Sequence, residues 1–491
     1  MRSLHPPAEP AGSFFVKREG LDLQQDKPEI FERMAIPRAV ATLAVPTILS
    51  SLVTVLYNLA DTYFVALLGD PVQNAAVTLA APVMLAFNAI NNLFGVGSSS
   101  MMSRALGRKD YERVEKGSTF GIWCAIFCGL IFSIGCTIFK GPLLSLLGAD
   151  ATTSAATDAY MFWTVNIGAA PAILNVVMAY LVRAEGSAMH ASIGTMSGCL
   201  LNIVLDPIFV LPWGLNMGAA GAGLATFLSN CVACGYFFVL LTVRRGHTYV
   251  CYDIRKLSFE PSIVREVCMV GIPASIQNLL NVTGMTILNN LASAYGATAV
   301  AAMGIAQKVN QVPFQVSNGL SQGIMPLVSY NYASDNIPRM KKSFLFAARL
   351  AVTCLACVSL LYYIFAPQVV SLFMENPEIV ETGTRFLRGF CLALPFQCMD
   401  FLAVAVFQAV GLGKNALAFA LLRKVVLEIP ALLLLNFLFP LYGLAYAQFT
   451  AELCLAIAAV VMLVKLFRQL ELEHEGRLAR VREAMAGEQT E

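Results

Sequence analysis

AVATLAVPTILSSLVTVLYNLADTYFVALLG, from Ala39 to Gly69, is long enough to cross a bilayer as a helix and holds one formal charge, Asp61. Carboxylates are expensive to hold in hydrocarbon, and those found there usually mark ion or substrate pathways. Gly69-Asp70-Pro71 ends the stretch, so Asp61 lies about two helical turns inside it. The plainer reading, an aspartate reaching the headgroups from a helix end, fits that depth less well. A second acid, Asp206, stands in LLNIVLDPIFV, four residues after Asn202, so the two share one helix face. Pro207 has no N–H to give Ile203, which leaves that carbonyl free for a cation or water.

Outward from these segments, apolar stretches of about 20 residues recur along the whole chain. The 491 residues are 57% hydrophobic and 13% charged, against about 25% charged in soluble chains. Mean hydropathy is +0.67. Membrane strands would give short alternating segments instead. The class is an all-α polytopic membrane protein. Twelve transmembrane helices are predicted, near 39–67, 76–103, 118–139, 154–182, 191–211, 218–243, 264–293, 299–326, 343–366, 382–410, 416–437 and 443–467.

Basic residues favour every second connection. Arg104, Arg108, Lys109, Arg113 and Lys116 follow the second span, Arg183 the fourth, and Arg244, Arg245, Arg255, Lys256 and Arg265 the sixth. Cytoplasmic loops collect Lys and Arg, so both termini are expected in the cytoplasm. Motifs also repeat at an offset of roughly 225 residues. Pro46 and Pro273 lie in spans one and seven, Gly69 and Gly296 end them, and Pro171 and Pro395 lie in spans four and ten. Two six-helix halves in parallel orientation follow, with the cleft between them the place for substrate. The expected parts are a cytoplasmic segment 1–34, lobes 35–243 and 263–468, a linker 244–262 and a cytoplasmic tail 469–491.

The second half carries Lys308, Asp400, Glu428 and Glu452 near mid-span. A buried lysine seeks a carboxylate, so Lys308 is expected to pair with one of those acids, either as a static tie or in a coupling role. In the first half, two carboxylates close together in low dielectric cannot both ionise cheaply, so a pair at Asp61 and Asp206 would load and release a proton. Carboxylate and amide oxygens suit a hard cation such as Na⁺ as well. H⁺ and Na⁺ both stand as coupling ion. The thirteen cysteines, Cys231 and Cys234 included, read as small packing residues, and four scattered histidines form no metal cluster. No Walker loop or HExxH occurs, which argues against an enzyme.

NLADTYFVALLG, LNIVLDPIFV, GAAGAGLATFLSN and GLSQGIMPLVSYNYAS together resemble the MATE (multidrug and toxic compound extrusion) family, over nearly all of Arg33 to Arg468. The resemblance implies two pseudo-symmetric six-helix lobes forming a V-shaped cleft, and export driven by inward H⁺ or Na⁺. It carries an amino-lobe cation site onto Asp61, Asn202 and Asp206, with Thr226 and, more loosely, Asn175. Asp400 matches the family's acid in span ten. Asn281 stands where members with a carboxy-lobe site often have a glutamate, which leaves the amino-lobe site preferred. The expectation is a cation-coupled antiporter, with H⁺ preferred over Na⁺. It would export amphipathic, often cationic, drugs or metabolites across a bacterial plasma (inner) membrane. The protein would be a monomer in the lipid bilayer, with no nucleic-acid partner, no cofactor and no metal beyond Na⁺ at Asp61, Asn202 and Asp206. A flippase for lipid-linked or endogenous metabolites is the alternative, and a membrane-embedded enzyme comes after it.

Overall fold

The computed structural model describes residues 29–373 and 376–488. Residues 1–28, with Lys17 and Arg18, lie outside it, as do Glu375 and the end of the tail. The first six helices are α1 Ile36–Ala66, α2 Pro71–Gly107, α3 Tyr111–Ile138, α4, α5 Ala188–Val210 and α6 Ala219–Val243; α4 consists of Ser154–Asn166 and Ala169–Ala184, bent by 44°. The second six are α7 Pro261–Ser293, α8 Ala297–Ala333, α9 Ile337–Ser371, α10 Pro377–Val410, α11 over 413–438, and α12 Gly443–Glu488. No strand occurs among the described residues.

The sequence sets the helix ends. Proline in the first turn opens α1, α2, α7, α9 and α10, where its missing N–H costs nothing. Asp70 accepts the Val72 N–H at 2.9 Å and Asn376 that of Glu378 at 3.0 Å, each capping a helix start. Gly411, at φ 84°, closes α10 in the left-handed conformation.

Among the described residues, nine helices are long and apolar enough to cross a membrane, ten when the two pieces of α4 count as one span. The two remaining members of the twelve are α8 and α11, and both differ for a physical reason. α8 carries Gln311, Gln315, Asn318 and Gln322 toward an internal cavity. α11 contains a π-turn at Leu422–Glu428 that holds buried charges.

Between the lobes, α1 lies along α8 and α2 along α7. A two-fold exchange of lobes turns one of these pairs into the other. The pairs approach closely through small residues, as membrane helices do. A Cβ added at Gly323 of α8 would sit 2.6 Å from Ala44 Cα of α1, and one at Gly271 of α7 would meet the Leu93 carbonyl of α2.

The segment between the lobes is fastened to the first one. Cys251 N–H donates to Ser118 Oγ at 3.0 Å, Trp123 Nε1 to the Tyr252 carbonyl at 3.0 Å, and Tyr249 N–H to Glu185 Oε2 at 2.8 Å. Three expectations need correction. Arg104 and Arg183 are not loop residues: both lie in helices and are 4% and 6% exposed. The polar tail is no separate segment, because α12 runs on to Glu488 and returns contacts to the α8–α9 turn. Arg477 Nη2 lies 2.6 Å from Asp335 Oδ1, and Lys341 Nζ 2.7 Å from Glu471 Oε1.

Candidate functional site: buried acids beside a polar cavity

Asp61 projects from the last part of α1 and Asp206 from the last part of α5, two helices that pack against each other. Asp206 is fully buried. The Asn202 amide satisfies its neighbours in one orientation, with Nδ2 donating to Asp206 Oδ2 at 2.8 Å and Oδ1 accepting from the Thr226 N–H at 3.0 Å and Thr226 Oγ1 at 3.3 Å. One face of α5 and one turn of α6 thus build the cradle. The i,i+4 spacing read from the sequence is a real hydrogen bond.

Asp61 and Asp206 lie within electrostatic range of each other. Asp61 Oδ1 is buried and has no hydrogen-bond partner. A carboxylate oxygen left so is costly when ionised, and a bound proton or cation relieves the cost. No Lys or Arg forms an ion pair with either acid among the described residues.

Tyr57 and Tyr160 complete the surroundings. Tyr57 lies in range of Asp61, Asp206 and Thr226, and Tyr160 in range of both acids. Sequence reasoning missed both. Tyr57 is four residues before Asp61 on the same helix face, which is a readable signal. Tyr160 comes from α4, and its approach depends on tertiary packing alone.

A cavity of about 290 Å³ adjoins the cluster and is lined by Tyr57, Asn202, Thr226 and Asn175, among others. Asn175 donates to Asn230 Oδ1 at 2.8 Å and makes no bond to either acid. It shares the cavity rather than the acid cradle. A larger cavity of about 600 Å³ lies between the lobes and shares Thr54, Tyr180, Gln315, Asn318 and Gln322 with the first. Asn281 of α7 lines it, along with Gln277, Asn278 and Gln311. Phe314, Phe401 and Met325 supply apolar faces. Among the described residues, no acidic side chain lines either cavity.

The second lobe has its own charge cluster, differently composed from the expectation. Lys308 is exposed and pairs with none of the three acids; it faces Leu59, Thr62 and Tyr63 of α1 across an open crevice. Its long stem allows the ammonium to reach water. The basic partners are Arg423 and Lys424, which sequence reasoning passed over. Arg423 donates to Glu452 through Nε, at 3.0 Å, and through Nη2, and stacks over Phe401 at 5.4 Å. Lys424 Nζ lies 2.6 Å from Glu428 Oε2. Asp400, 1% exposed, sits beside Glu452 and within range of Arg423. The π-turn in α11 is what points Arg423, Lys424 and Glu428 inward together.

Twelve helices in two lobes, polar cavities between and within them, and unpaired acids behind one cavity define a multi-pass membrane transporter. The family model MatE matches residues 46–208 and again 273–434, so the repeat read from prolines is a repeat of the family's own unit. The chain belongs to the MATE family of efflux transporters. It is 31% identical over 446 residues to the multidrug export protein MepA of Staphylococcus haemolyticus, covering 90% of this chain and 96% of that one. With MepA of Staphylococcus aureus it shares 32% identity over 448 residues, covering 90% and 97%. Its fold is similar to a solved outward-facing conformation of a multidrug resistance MATE family transporter, with TM-score 0.85, 26% identity and coverage of 92% of this chain and 99% of that one. A solved MOP superfamily transporter from Pyrococcus furiosus aligns with TM-score 0.84 and the same identity and coverage.

Proposed function

We propose that this protein is a multidrug antiporter that exports amphipathic compounds, cationic ones among them, in exchange for an inward cation, H⁺ in preference to Na⁺. The observation that carries the reading is Asp206, fully buried and hydrogen-bonded to the neutral Asn202 amide with no basic partner. Asp61 beside it has an unpartnered oxygen. Such acids gain most from a bound proton, and Asp61, Asn202 and Asp206 together also offer the oxygens a Na⁺ would need. Coupling follows if proton and cargo favour different arrangements of the lobes.

The cleft supports a broad cargo. Carboxamides serve donors and acceptors alike, and Phe314, Phe401 and Met325 offer apolar faces of adaptable shape. Relatives that match nearly end to end are multidrug export proteins. The working parts are lobes 35–243 and 263–468 and the linker 244–262, with a segment 1–34 ahead of them and a tail 469–491 whose described part continues α12. A monomer holds the complete site. The basic connections support cytoplasmic termini, and the bacterial export relatives support a plasma membrane.

The test is uptake of a fluorescent organic cation into proteoliposomes, with H⁺ and Na⁺ gradients imposed separately. The expected outcome is accumulation driven by the H⁺ gradient and lost in both Asp61→Asn and Asp206→Asn. Near wild-type rates in both variants, at equal protein, would remove the mechanism.

A further inference from the structure

Arg183 is a buried charge that meets no opposite charge among the described residues. It stands in the last turn of α4 and is 6% exposed. Its Nη1 donates to Gln322 Oε1 at 3.0 Å, its guanidinium lies 5.5 Å from the Tyr180 ring centroid, and its Nε is buried without a partner. Among the described residues, none of the ion pairs includes it, whereas the buried Arg104, Arg423 and Lys424 each have a carboxylate. Glu185, close by in the chain, accepts from Ser187 Oγ at 3.1 Å, Thr248 Oγ1 at 2.9 Å and the Tyr249 N–H at 2.8 Å. The helix C-terminus supplies only partial negative charge. Burying an unpaired guanidinium is costly, and a fold that keeps one beside a cavity has a reason to.

The residue lines the smaller cavity, next to Tyr180, Asn318 and Gln322. Gln322 in turn donates to Asn318 Oδ1 at 3.1 Å, and Asn318 to Gln315 Oε1 at 3.3 Å, so a row of carboxamides on α8 holds the guanidinium from the other lobe. All three carboxamides also line the central cavity, which gives cargo a path to the guanidinium. The two spaces, about 290 and 600 Å³, suit a drug-sized molecule.

We propose that Arg183 binds the carboxylate of a transported amphipath, a specificity that rests on the transport reading above. A guanidinium fork matches a carboxylate in two hydrogen bonds. The cavity also reaches Tyr57 and Asn202, which adjoin the two acids, so a molecule with its carboxylate on Arg183 can hold an amine near their charge without touching it. Zwitterionic amphipaths are thus cargo that this protein holds better than their esters.

The test is equilibrium binding to purified protein, without any gradient, of a rhodamine dye as its free acid and as its methyl ester. Wild type should bind the free acid at least tenfold more tightly, the weight of a hydrogen bond to a charged group. The ratio should collapse toward unity in Arg183→Gln and fall only part of the way in Arg183→Lys, which keeps the charge and loses the fork. Equal binding of acid and ester by wild type, or no binding of the acid, overturns the proposal, whatever the variants do. A ratio unchanged in Arg183→Gln does the same. Displacement of the free acid by an anionic phospholipid at equimolar ratio would assign the guanidinium to a headgroup and also overturn it. Gradient-driven uptake is a separate readout, so loss of coupling with retained acid preference would fault the antiport reading alone.

Discussion

At the residue scale, an isolated acid in an apolar stretch is legible and its partners are not. Asp61 and Asp206 stand out because nothing else in their segments is charged, and Asn202 follows from helical spacing. Lys308 shows the limit: depth along a helix is readable, but the direction it faces is set by packing. Arg183 and Arg104 sit near helix ends and read as loop charges, yet neighbouring helices cover them. Arg423 and Lys424 escaped notice inside a stretch whose apolar average hid them. Removing one member of a buried pair leaves the other uncompensated, at about 3–5 kcal/mol. Arg423→Met should therefore lower the unfolding temperature in detergent sharply, with Glu452 stranded. Arg423→Met combined with Glu452→Leu should recover much of the loss. Equal damage in single and double variants would show that the pair is not the unit.

At the scale of elements, prolines and glycines announced the helix ends and the repeat. The π-turn in α11 was not announced, since it arises where packing draws charged groups inward, whereas the bend in α4 falls just before Pro171, which has no N–H to give the Ile167 carbonyl. The close approach of α1 to α8 depends on Gly323, whose added Cβ would lie 2.6 Å from Ala44 Cα. Gly323→Val should separate these helices, at a cost of about 1–3 kcal/mol for overpacking. A cysteine cross-link engineered between α1 and α8 should then form more slowly than in the parent. An unchanged cross-linking rate, with normal folding, would show that the helices have room to spare.

At the scale of the molecule, the lobes are tied on the side of the basic connections. Glu266 of α7 meets Arg104 Nη2 at 3.2 Å and Arg113 Nη2 at 2.7 Å, and Glu260 meets Lys116 Nζ at 2.6 Å. Glu266→Gln should loosen this side, read as a longer spin-label distance between α2 and α7. An unchanged distance would remove these contacts as a gate. The Lys116 ammonium, donating to Glu260, holds that carboxyl below its ordinary value of 4.5. A depressed folded value stabilises above the ordinary one, and the gain fades as pH falls through the folded value. Wild type should thus melt slightly above Glu260→Gln at neutral pH and converge with it in acid. The site is exposed, so the gap should also shrink with salt.

The central claim is that Asp61 and Asp206 exchange a proton against cargo. Proton release on adding a transported organic cation to weakly buffered, detergent-purified protein reads that exchange with a pH-indicator dye. The account predicts release from wild type at neutral pH and none from the Asp61→Asn, Asp206→Asn double variant. Equal release from both proteins, or cargo binding by wild type with no proton displaced, would contradict it.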